Sequence, residues 1–240
     1  MENGIYIGLS RQVALRTNMD IIANNVANMN TPGYRGQNVV FKEYLSDPRG
    51  NDYPLSLVED YGQYQDTVAG PVQLTNNPLD VSLVGPGFLG VTAPDGQIAY
   101  TRAGHFDLDA EGNLITAAGQ KVASAGGGSI TVPAQSSEIK IDNNGAISNE
   151  DGVFGQLMIV EFDDLQKLDP LGANMYRTDL APKPATNTRV QQGMLEGSNV
   201  QPVVEMTRMI DTLRSFQNVQ QILQTEHERL RTLIQRMTRT

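Results

Sequence analysis

The chain has 240 residues, 39% of them hydrophobic, and a formal net charge of −9. Its length and apolar content suit one large or two small globular domains with a buried core, and no apolar run reaches the roughly 20 residues of a membrane-spanning helix. With no cysteine and only two histidines, His105 and His227, the sequence argues against disulfide scaffolds, thiol catalysis and cysteine- or histidine-rich metal sites.

The acidic residues are concentrated in the middle of the chain. Residues 1–46 carry a net charge of +1 and residues 202–240 a net charge of +2, whereas residues 47–201 carry −12. Because an acidic surface repels polyanions, we expect no nucleic-acid partner. The near-neutral ends, in contrast, can pack many copies together while the acidic middle stays solvated.

An apolar stripe with alternating spacings of four and three residues runs along the first thirty residues. It predicts an amphipathic helix with a narrow coiled-coil face. The sequence Asn30-Thr31-Pro32-Gly33 predicts the end of this helix, because proline and glycine together stop a helix. The seam residues of this helix are predicted to be Leu15, Met19, Ile22, Val26 and Met29.

The middle of the chain lacks a helical period and alternates short β-type runs with turn dipeptides. The runs include residues 81–84 and 98–101, and turns such as Asp95-Gly96 separate them. This pattern predicts an antiparallel β body over residues 71–164. An extended linker region is predicted at residues 36–70 and 165–201.

A second apolar stripe runs along the last forty residues. It predicts a C-terminal amphipathic helix with Pro202 in the first turn and Ser198 or Asn199 as its N-cap. The predicted seam of this helix is Met206, Met209, Leu213, Phe216, Leu223, Leu230 and Ile234. We expect the terminal segments 1–35 and 202–240 to pair as one domain. The predicted fold class is therefore α+β, with N- and C-terminal helices pairing as a coiled coil around an inserted antiparallel all-β body.

Apolar residues also lie off both predicted seams, among them Ile21, Val203, Ile210, Val219 and Ile222. A lone helix pair that buries one narrow stripe would leave them in water, at a cost of roughly 1.5–3 kcal/mol each relative to full burial. We therefore expect the two ends to be largely disordered in the free monomer and to fold on assembly.

Two motifs in the middle of the chain are similar to cofactor or metal sites but lack their structural context. Residues 85–90, G-P-G-F-L-G, have dinucleotide-binding spacing, yet a strand and a turn follow where that motif needs a helix. Residues 107–112 begin like a calcium loop, but Ala118 stands where the bidentate glutamate is required. We therefore expect no catalytic residues, no cofactor and no metal.

Four asparagines, Asn24, Asn25, Asn28 and Asn30, crowd the end of the first predicted helix. Asparagine is unfavourable within a helix because its side chain competes for backbone hydrogen bonds. Asn24 and Asn28 would share one helix face, so they either form amide contacts with a neighbouring helix or mark a frayed helix end. The helical period does not distinguish these two interpretations.

The asparagine segment also resembles a family signature. Residues 23–34, A-N-N-V-A-N-M-N-T-P-G-Y, are similar to the N-terminal signature of the flagellar rod, hook and hook-associated proteins, and residues 195–200, L-E-G-S-N-V, resemble the C-terminal one. Residues 77–80, 85–88 and 100–106 resemble the β body of basal-body rod subunits, so the likeness covers essentially the whole chain. On this resemblance the assembly signature is Asn24, Asn25, Asn28, Asn30, Thr31, Pro32, Gly33 and Tyr34.

The resemblance implies a structural, non-enzymatic subunit of the flagellar basal-body rod, which assembles helically into the periplasm-crossing drive shaft that transmits motor torque. Its partners would be copies of itself and other proximal- and distal-rod subunits, with the paired helices as the inner layer and the β body as the outer layer. Within the family, the first residues and the length resemble the F-type subunits. The longer distal-rod G-type subunits are the alternative, and a secreted coiled-coil adhesin is a weaker one.

The resemblance further implies export through the flagellar type III apparatus without a cleaved signal peptide, and the first residues show no secretory-signal pattern. Phe41 and Leu45 match the Phe-x-x-x-hydrophobic pattern that early export substrates present to the export gate; ordinary packing roles are the alternative. No direct membrane insertion is expected, and the predicted location is the periplasmic rod of the basal body.

Overall fold

The computed structural model describes residues 3–46, 55–133 and 139–237. The helices are α1 (Asn3–Ala27) and α2 (Pro202–Met237). The strands are β1 (Gln37–Ser46), β2 (Leu55–Gln65), β3 (Val72–Leu74), β4 (Val81–Val84), β5 (Phe88–Thr92), β6 (Ile98–Thr101), β7 (Phe106–Leu108), β8 (Leu114–Thr116), β9 (Lys140–Ile141), β10 (Ala146–Asn149), β11 (Gly152–Gln156), β12 (Ile159–Glu161), β13 (Asp169–Gly172), β14 (Met175–Arg177), β15 (Lys183–Pro184), β16 (Arg189–Gln192) and β17 (Met194–Glu196). Helices at both ends with strands between them confirm the predicted α+β class. Within the described ranges, neither helix combines the length and the apolar character needed to cross a bilayer.

The chain divides into two compact units. The helical unit comprises Met1–Ala27, Gln37–Asp66 and Gln201–Thr240, so it contains α1, α2 and the hairpin of β1 and β2. The β unit comprises Asn28–Gly36 and Thr67–Val200 and contains β3 to β17.

Helices α1 and α2 pair antiparallel, which confirms the predicted coiled-coil pairing. Asn18 of α1 donates its side-chain N–H to Thr212 Oγ1 of α2 at 3.3 Å. Further along the pair, a Cβ on Gly8 would lie 2.7 Å from Leu223 Cδ2. Gly8 interrupts the apolar stripe in the sequence, and in the structure it allows Leu223 to pack closely against α1.

The β1–β2 hairpin packs on α1 and covers a second face of that helix. The backbone N–H of Val58 donates to Ser10 Oγ at 3.4 Å, and Ala14 and Ile21 on the same side of α1 are buried. The prediction that Ile21 is exposed in a lone helix pair is therefore wrong, because α1 has a hairpin-facing side as well as an α2-facing side. Val219 is also buried.

The β unit is antiparallel in all of the strand pairs among its described residues. Its largest sheet has six strands in the order β13-β14-β6-β5-β12-β15, and the other sheets are β11-β10-β9, β16-β4, β17-β3 and β7-β8. Asp95-Gly96 falls between β5 and β6, as the turn pattern predicts. The main core consists of Val81, Leu83, Leu89, Phe106, Leu114, Val122, Ile130, Ile141, Ile147, Leu157 and Val190.

Both segments predicted as extended linker carry strands in the structure. Residues 37–46 and 55–65 supply β1 and β2 of the helical unit. Residues 169–196 supply β13 to β17, of which β14 lies between β13 and β6. The proline-rich composition of the second segment suggests a loop. However, Pro170 and Pro184 lie in β13 and β15, the two edge strands of the six-stranded sheet, where a missing N–H is tolerated.

The start of α2 agrees with the predicted position of Pro202 but not with the predicted caps. Pro202 is the first residue of the helix. Ser198 Oγ instead accepts from the N–H of Val200 at 3.2 Å, and Asn199 Oδ1 accepts from the N–H of Gly36 at 2.8 Å. Both side chains therefore accept hydrogen bonds from backbone N–H groups outside α2.

Candidate functional site: polar clusters at the signature segments

The N-terminal signature segment leaves α1 as a tight turn. Asn28 accepts two hydrogen bonds from Thr31, one at its carbonyl oxygen and one at Oδ1, both at 3.1 Å. Gly33 follows with a φ of 68°, a left-handed conformation that favours glycine. A Cβ on Gly33 would also lie 2.5 Å from the carbonyl carbon of Arg102. The turn therefore lies directly on the backbone of Arg102.

Glu196, in the C-terminal signature segment, is a buried carboxylate between two arginines. Arg102 donates from Nε and Nη2 to Glu196 Oε2 at 2.9 and 2.5 Å. Arg35 donates from Nη2 to Glu196 Oε1 at 3.4 Å and from Nη1 to the carbonyl oxygen of Thr67. Arg102, Glu196 and Arg35 are only 1%, 3% and 5% exposed. Burial lowers the pKa of Arg102, and the Glu196 carboxylate acts in the opposite direction.

Backbone carbonyls stabilise the excess positive charge of this arginine–glutamate cluster. Arg102 donates from Nη1 to the carbonyl oxygens of Gly85, at 2.9 Å, and of Gly87, and from Nη2 to that of Leu83 at 3.2 Å. Carbonyl oxygens suit this position because two guanidinium groups share one carboxylate in a region of low dielectric. Gly85 and Gly87 of the glycine motif thus supply acceptors for Arg102, and β5 begins within the motif, at Phe88.

Backbone hydrogen bonds also join the two signature segments within the β unit. The carbonyl oxygen of Glu196 accepts from the N–H of Gly33 at 2.8 Å, and the carbonyl oxygen of Tyr34 accepts from the N–H of Asn199 at 3.3 Å. The side chain of Asn199 donates to the carbonyl oxygen of Val68 at 2.9 Å. Two segments from opposite ends of the sequence therefore form one hydrogen-bonded structure.

A second polar cluster lies within the helical unit, around Asn25. The side-chain amide of Asn25 pairs with both backbone groups of Gln37: Nδ2 donates to the carbonyl oxygen at 2.8 Å, and Oδ1 accepts from the N–H at 2.9 Å. Nδ2 also donates to Glu205 Oε2 at 3.4 Å, and Arg208 donates to Glu205 Oε1 at 2.7 Å. Asn25 and Glu205 are 3% and 6% exposed. Asn25 therefore connects α1 to the start of β1 and to α2.

A pocket of about 320 Å³ adjoins the Asn25 cluster. Glu205, Arg208 and Asp211 form its charged side, while Ile21 and Ile22 of α1 form an apolar side. In the part of the chain that the structure describes, no group of three or more His, Cys, Asp or Glu side chains could hold a metal ion.

The residues of the predicted assembly signature differ in their burial. The buried ones are Asn25, Gly33 and Tyr34; the partly buried ones are Asn28, Thr31 and Pro32; the exposed ones are Asn24 and Asn30. Asn25 therefore forms buried amide contacts of α1, whereas Asn24 lies at an exposed position. The role of these residues in assembly stays a prediction.

The predicted seam residues also differ in their burial. Those that are buried or partly buried are Leu15, Met19, Ile22, Val26, Met29, Met209, Phe216, Leu223 and Leu230. Met206, Leu213 and Ile234 are 53%, 41% and 61% exposed. Glu205 and Thr212 are buried on α2 although neither belongs to the predicted seam. The contribution of the exposed seam residues to subunit contacts stays a prediction.

The export-gate candidates, Phe41 and Leu45, lie four residues apart on β1. Their side chains are 38% and 60% exposed, so neither belongs to the buried core.

The histidine and the calcium-like loop of the β unit form local hydrogen bonds. His105 Nδ1 lies 2.6 Å from Oδ1 of the buried Asp80. Asp109 accepts from the backbone and side-chain N–H groups of Asn113 at 2.6 and 2.8 Å. The side-chain bond from Asn113 lowers the pKa of Asp109.

Sequence reasoning missed the charged members of both clusters. Arg102 and Glu196 lie within segments that resemble the family, but they are 94 positions apart and nothing in their spacing connects them. The available signal was weak: Arg102 is the one Asp, Glu, Lys or Arg in residues 100–106, and Glu196 is the one in residues 195–200. Glu205 occupies a helix position that a hydrophobic stripe does not identify.

Three family models match the chain. "Flagella basal body rod protein" matches residues 5–35, which include most of α1 and the signature turn. "Flagellar hook protein FlgE/F/G D1 domain" matches residues 82–149 of the β unit. "Flagellar basal body rod FlgEFG protein C-terminal" matches residues 191–236.

Relatives that match from end to end decide the family. "Flagellar basal-body rod protein FlgF" of Caulobacter vibrioides is 36% identical over 242 residues, covering 99% of this chain and 98% of the relative. The chain belongs to the flagellar basal-body rod protein family. Other relatives of this rod protein are a FlgG of Bacillus subtilis, 32% identical with 98% of each chain covered, and a FlgF of Mesorhizobium japonicum, 30% identical with 97% of this chain and 98% of the relative covered.

Membership of the rod family confirms that the chain is a structural protein of the flagellum and not an enzyme. It also places the rod protein in the flagellar basal body, with other rod subunits as its partners. The family assignment agrees with the resemblance seen in the two signature segments.

Proposed function

We propose that this rod protein is an F-type subunit that assembles helically, with copies of itself and with neighbouring rod subunits, into the periplasmic shaft that transmits torque. The observation that carries the proposal is the end-to-end match to rod proteins, which includes both signature segments. Identity to the Caulobacter FlgF, at 36%, exceeds identity to the Bacillus FlgG, at 32%, and this favours the F-type.

The physical properties of the chain also support a shaft subunit. A shaft needs extensive contacts between copies and resistance to deformation, and it needs no reacting groups. Arg102, Glu196, Asn25 and Glu205 are buried and hydrogen-bonded, and buried hydrogen-bonded networks rigidify a structure. Arg35 Nε is a buried atom of the arginine–glutamate cluster that has no hydrogen-bond partner. Open head-to-tail assembly requires two different complementary surfaces on each subunit.

A cross-complementation experiment tests the proposed function. Caulobacter vibrioides has both a FlgF and a FlgG relative of this chain. The gene for this rod protein is expressed in strains lacking either one, and swimming and completed rods are scored by soft-agar spreading and electron microscopy. We expect rescue of the strain without FlgF, at a level above that of an empty vector. Rescue of only the strain without FlgG would overturn the F-type assignment. If neither strain is rescued, deletion in the native host decides: completed rods there would contradict the rod function itself.

We also infer export through the flagellar type III apparatus without a cleaved signal, with Phe41 and Leu45 as the residues that contact the export gate. Their spacing and their exposure on β1 support this inference. Alanine at both positions is expected to lower the secreted fraction at least roughly fivefold, measured by quantitative immunoblotting of cells and medium. Tyr44→Ala removes an exposed aromatic side chain from the same strand, 54% exposed, and is the matched control.

The control and the mass of the secreted protein complete this test. Equal secretion of the double variant and the Tyr44→Ala control would contradict the role of Phe41 and Leu45. Mass spectrometry of the secreted chain is expected to find the N-terminal peptide intact, and loss of that peptide would contradict export without cleavage.

A further inference from the structure

The peptide bond between Pro32 and Gly33, in the signature turn of residues 28–34, is hydrogen-bonded at both of its polar groups. Its N–H, on Gly33, donates to the carbonyl oxygen of Glu196 at 2.8 Å. Its carbonyl oxygen, on Pro32, accepts from Asn174 Nδ2 at 2.8 Å. Glu196 belongs to the C-terminal signature segment, whereas Asn174 is 142 positions from Pro32 and lies in neither signature. Two distant segments of the β unit thus hold one peptide bond of the turn.

Asn174 lies in the turn between β13 and β14, where three successive residues have a left-handed backbone. Gly172, Ala173 and Asn174 have φ values of 92°, 49° and 57°. Glycine adopts this conformation freely and asparagine tolerates it, but it is unfavourable for alanine. Residues persist in such conformations where the surrounding structure determines them, and they cluster at functional sites. The conformation of Ala173 therefore indicates that this turn does more than connect two strands.

The other side of Asn174 is hydrogen-bonded to the six-stranded sheet. Its carbonyl oxygen accepts from the hydroxyl of Thr101 at 2.8 Å, and its Oδ1 accepts from the hydroxyl of Tyr176 at 3.4 Å. Thr101 and Tyr176 are buried residues of β6 and β14. Because these two side chains bind Asn174 from the sheet, its Nδ2 is directed at Pro32 from a rigid base.

The family models assign nothing to Asn174. They match residues 5–35, 82–149 and 191–236, which include Pro32 and Glu196 but not Asn174. The contact between Asn174 and the signature turn therefore comes from a part of the chain that lies outside the matched ranges.

The signature turn is also a place where the chain passes between its two units. Residues 28–36 belong to the β unit, while the segments that end at Ala27 and begin at Gln37 belong to the helical unit. A mobile turn at this position would give the chain several conformations, and each would have to be ordered when copies join, at a cost in entropy. A turn that is fixed during folding avoids that cost at assembly.

We propose that Asn174 is a positioning residue for subunit assembly, which holds the signature turn in one conformation through the carbonyl oxygen of Pro32. The proposal rests on the proposed function as a rod subunit, and the partner is the next subunit of the rod. Helical assembly repeats the same contacts along the shaft, so every copy must present the same conformation. Asn174 acts on the partner through the turn and not by direct contact.

Asn174→Asp tests this role with little change in size. A carboxylate has no N–H to donate to Pro32, and its charge repels the carbonyl oxygen, while it keeps an oxygen for the hydroxyl of Tyr176. Asn76→Asp is the matched control, because Asn76 is an exposed asparagine of the β unit with a φ of 59°. Ile147→Val, which removes a methylene from the main core, is the control for lost stability.

The first measurement is hydrogen exchange at the Gly33 amide in the purified full-length chain. We expect Asn174→Asp to raise the exchange rate at least roughly tenfold, because release of Pro32 loosens the peptide bond whose N–H donates to Glu196. Amides of β4 and β5 are the internal reference and are expected to keep their rates, and Asn76→Asp is expected to leave Gly33 unchanged. An unchanged rate at Gly33 in Asn174→Asp would overturn the proposal.

The second measurement is the number of completed rods in cells that lack the native gene and express each variant. We expect Asn174→Asp to lower it at least roughly fivefold, because the loosened turn must be ordered at each addition of a subunit. Asn76→Asp and Ile147→Val are expected to assemble like the unchanged chain. Urea unfolding verifies that the core variant is at least as destabilised as Asn174→Asp, and Ile147→Ala replaces Ile147→Val if it is not.

Normal rod numbers in Asn174→Asp would overturn the role in assembly, and so would an equal loss in the core variant, since stability alone would then account for it. If Asn174→Asp fails to fold, Asn174→Gly, which keeps the left-handed backbone, takes its place in both measurements. If deletion of the gene leaves rods intact, the rod function fails and the assembly role with it. Exchange at Gly33 then still decides whether Asn174 positions the turn.

Discussion

At the level of single residues, Glu196 accepts hydrogen bonds from Arg102, from Arg35 and from the backbone N–H of Gly70. Because the Glu196 carboxylate forms an ion pair with both guanidinium groups of this arginine–glutamate cluster, removing its charge leaves two cations buried together. A buried pair that loses one partner is strongly destabilised, even where the intact pair contributes little net stability.

We therefore expect Glu196→Gln to lower the free energy of unfolding of the β unit by about 3–5 kcal/mol, measured by urea denaturation. Asp163→Asn is the matched control, since Asp163 pairs with Lys183 at 2.7 Å but both side chains are more than half exposed. We expect Asp163→Asn to lower the free energy of unfolding by less than about 1 kcal/mol. Equal losses in the two variants would show that the buried cluster contributes no more than a surface ion pair.

Gly33 in the signature turn combines a left-handed backbone with close contact to Arg102. Gly33→Ala adds conformational strain and also places a Cβ 2.5 Å from a backbone carbonyl carbon. Gly119 has a similar φ of +82°, and a Cβ there would have no heavy atom within 4 Å. Gly119→Ala therefore adds only the backbone strain, of about 1–2 kcal/mol. We expect Gly33→Ala to be less stable than Gly119→Ala by at least about 1–3 kcal/mol in urea unfolding. Indistinguishable midpoints would contradict the close packing of the turn on Arg102.

Ionisation of Tyr176 makes the free energy of unfolding of the β unit depend on pH in the alkaline range. Burial raises the pKa of Tyr176 to about 12, whereas a tyrosine in the unfolded chain ionises near pH 10. Between these values the folded state keeps the proton and the unfolded state loses it, so the free energy of unfolding falls as pH rises, by about 2–3 kcal/mol in total. Tyr176→Phe is expected to remove this part of the loss in urea unfolding at about pH 9 and about pH 11. An unchanged pH dependence would contradict the assignment to Tyr176.

At the level of elements, the sequence predicted which segments are helical but not every face that each helix buries. The apolar stripes identified both terminal helices, and Pro202 marked the start of α2. The hairpin-facing side of α1 was missed because it depends on polar or small residues, Asn25 and Ala14, whose burial is decided by the partner strands. The buried charges were missed for the same physical reason: an ion pair between distant segments leaves no periodic pattern in the sequence.

Asn25 connects α1 to β1 and α2 through its side-chain amide. Asn25→Leu removes the amide that pairs with both backbone groups of Gln37, so a partly buried N–H and a partly buried carbonyl lose their partner. We expect a loss of about 1–3 kcal/mol per unsatisfied group in the stability of the helical unit. Ala23→Leu, at an exposed position of the same helix, is the control and is expected to change stability by less than about 0.5 kcal/mol. Thermal unfolding followed by circular dichroism at the helical signal compares the two variants, and an equal or larger effect of Ala23→Leu would contradict the assignment.

At the level of the whole molecule, the two units differ in how deeply the side chains of their helices and strands are buried. The strands β4 and β5 carry the fully buried Val81 and Leu89, whereas residues 231–237 of α2 are all exposed. The helical ends of the free chain are formed in the structure, but much of their apolar surface is uncovered. The expectation from the sequence that the two ends are largely disordered in the free monomer and fold on assembly stays a prediction.

Hydrogen exchange on dilute monomer tests that difference. We expect amides in residues 231–237 to exchange at least roughly a hundredfold faster than those in β4 and β5, because exposed helix ends open at low free energy. In assembled basal bodies residues 203–213 of α2, where Val203, Met206 and Ile210 are exposed, are expected to gain protection. Slow exchange along all of α2 in a verified monomer would show that the helix pair is stable without neighbours.

The most direct test of the central claim is a cryo-EM map of isolated basal bodies from cells that express this rod protein. The account predicts density for the chain within the rod, with α1 and α2 in its inner layer. A complete rod in which no density fits this chain, or a chain located outside the rod, would contradict its assignment as a rod subunit.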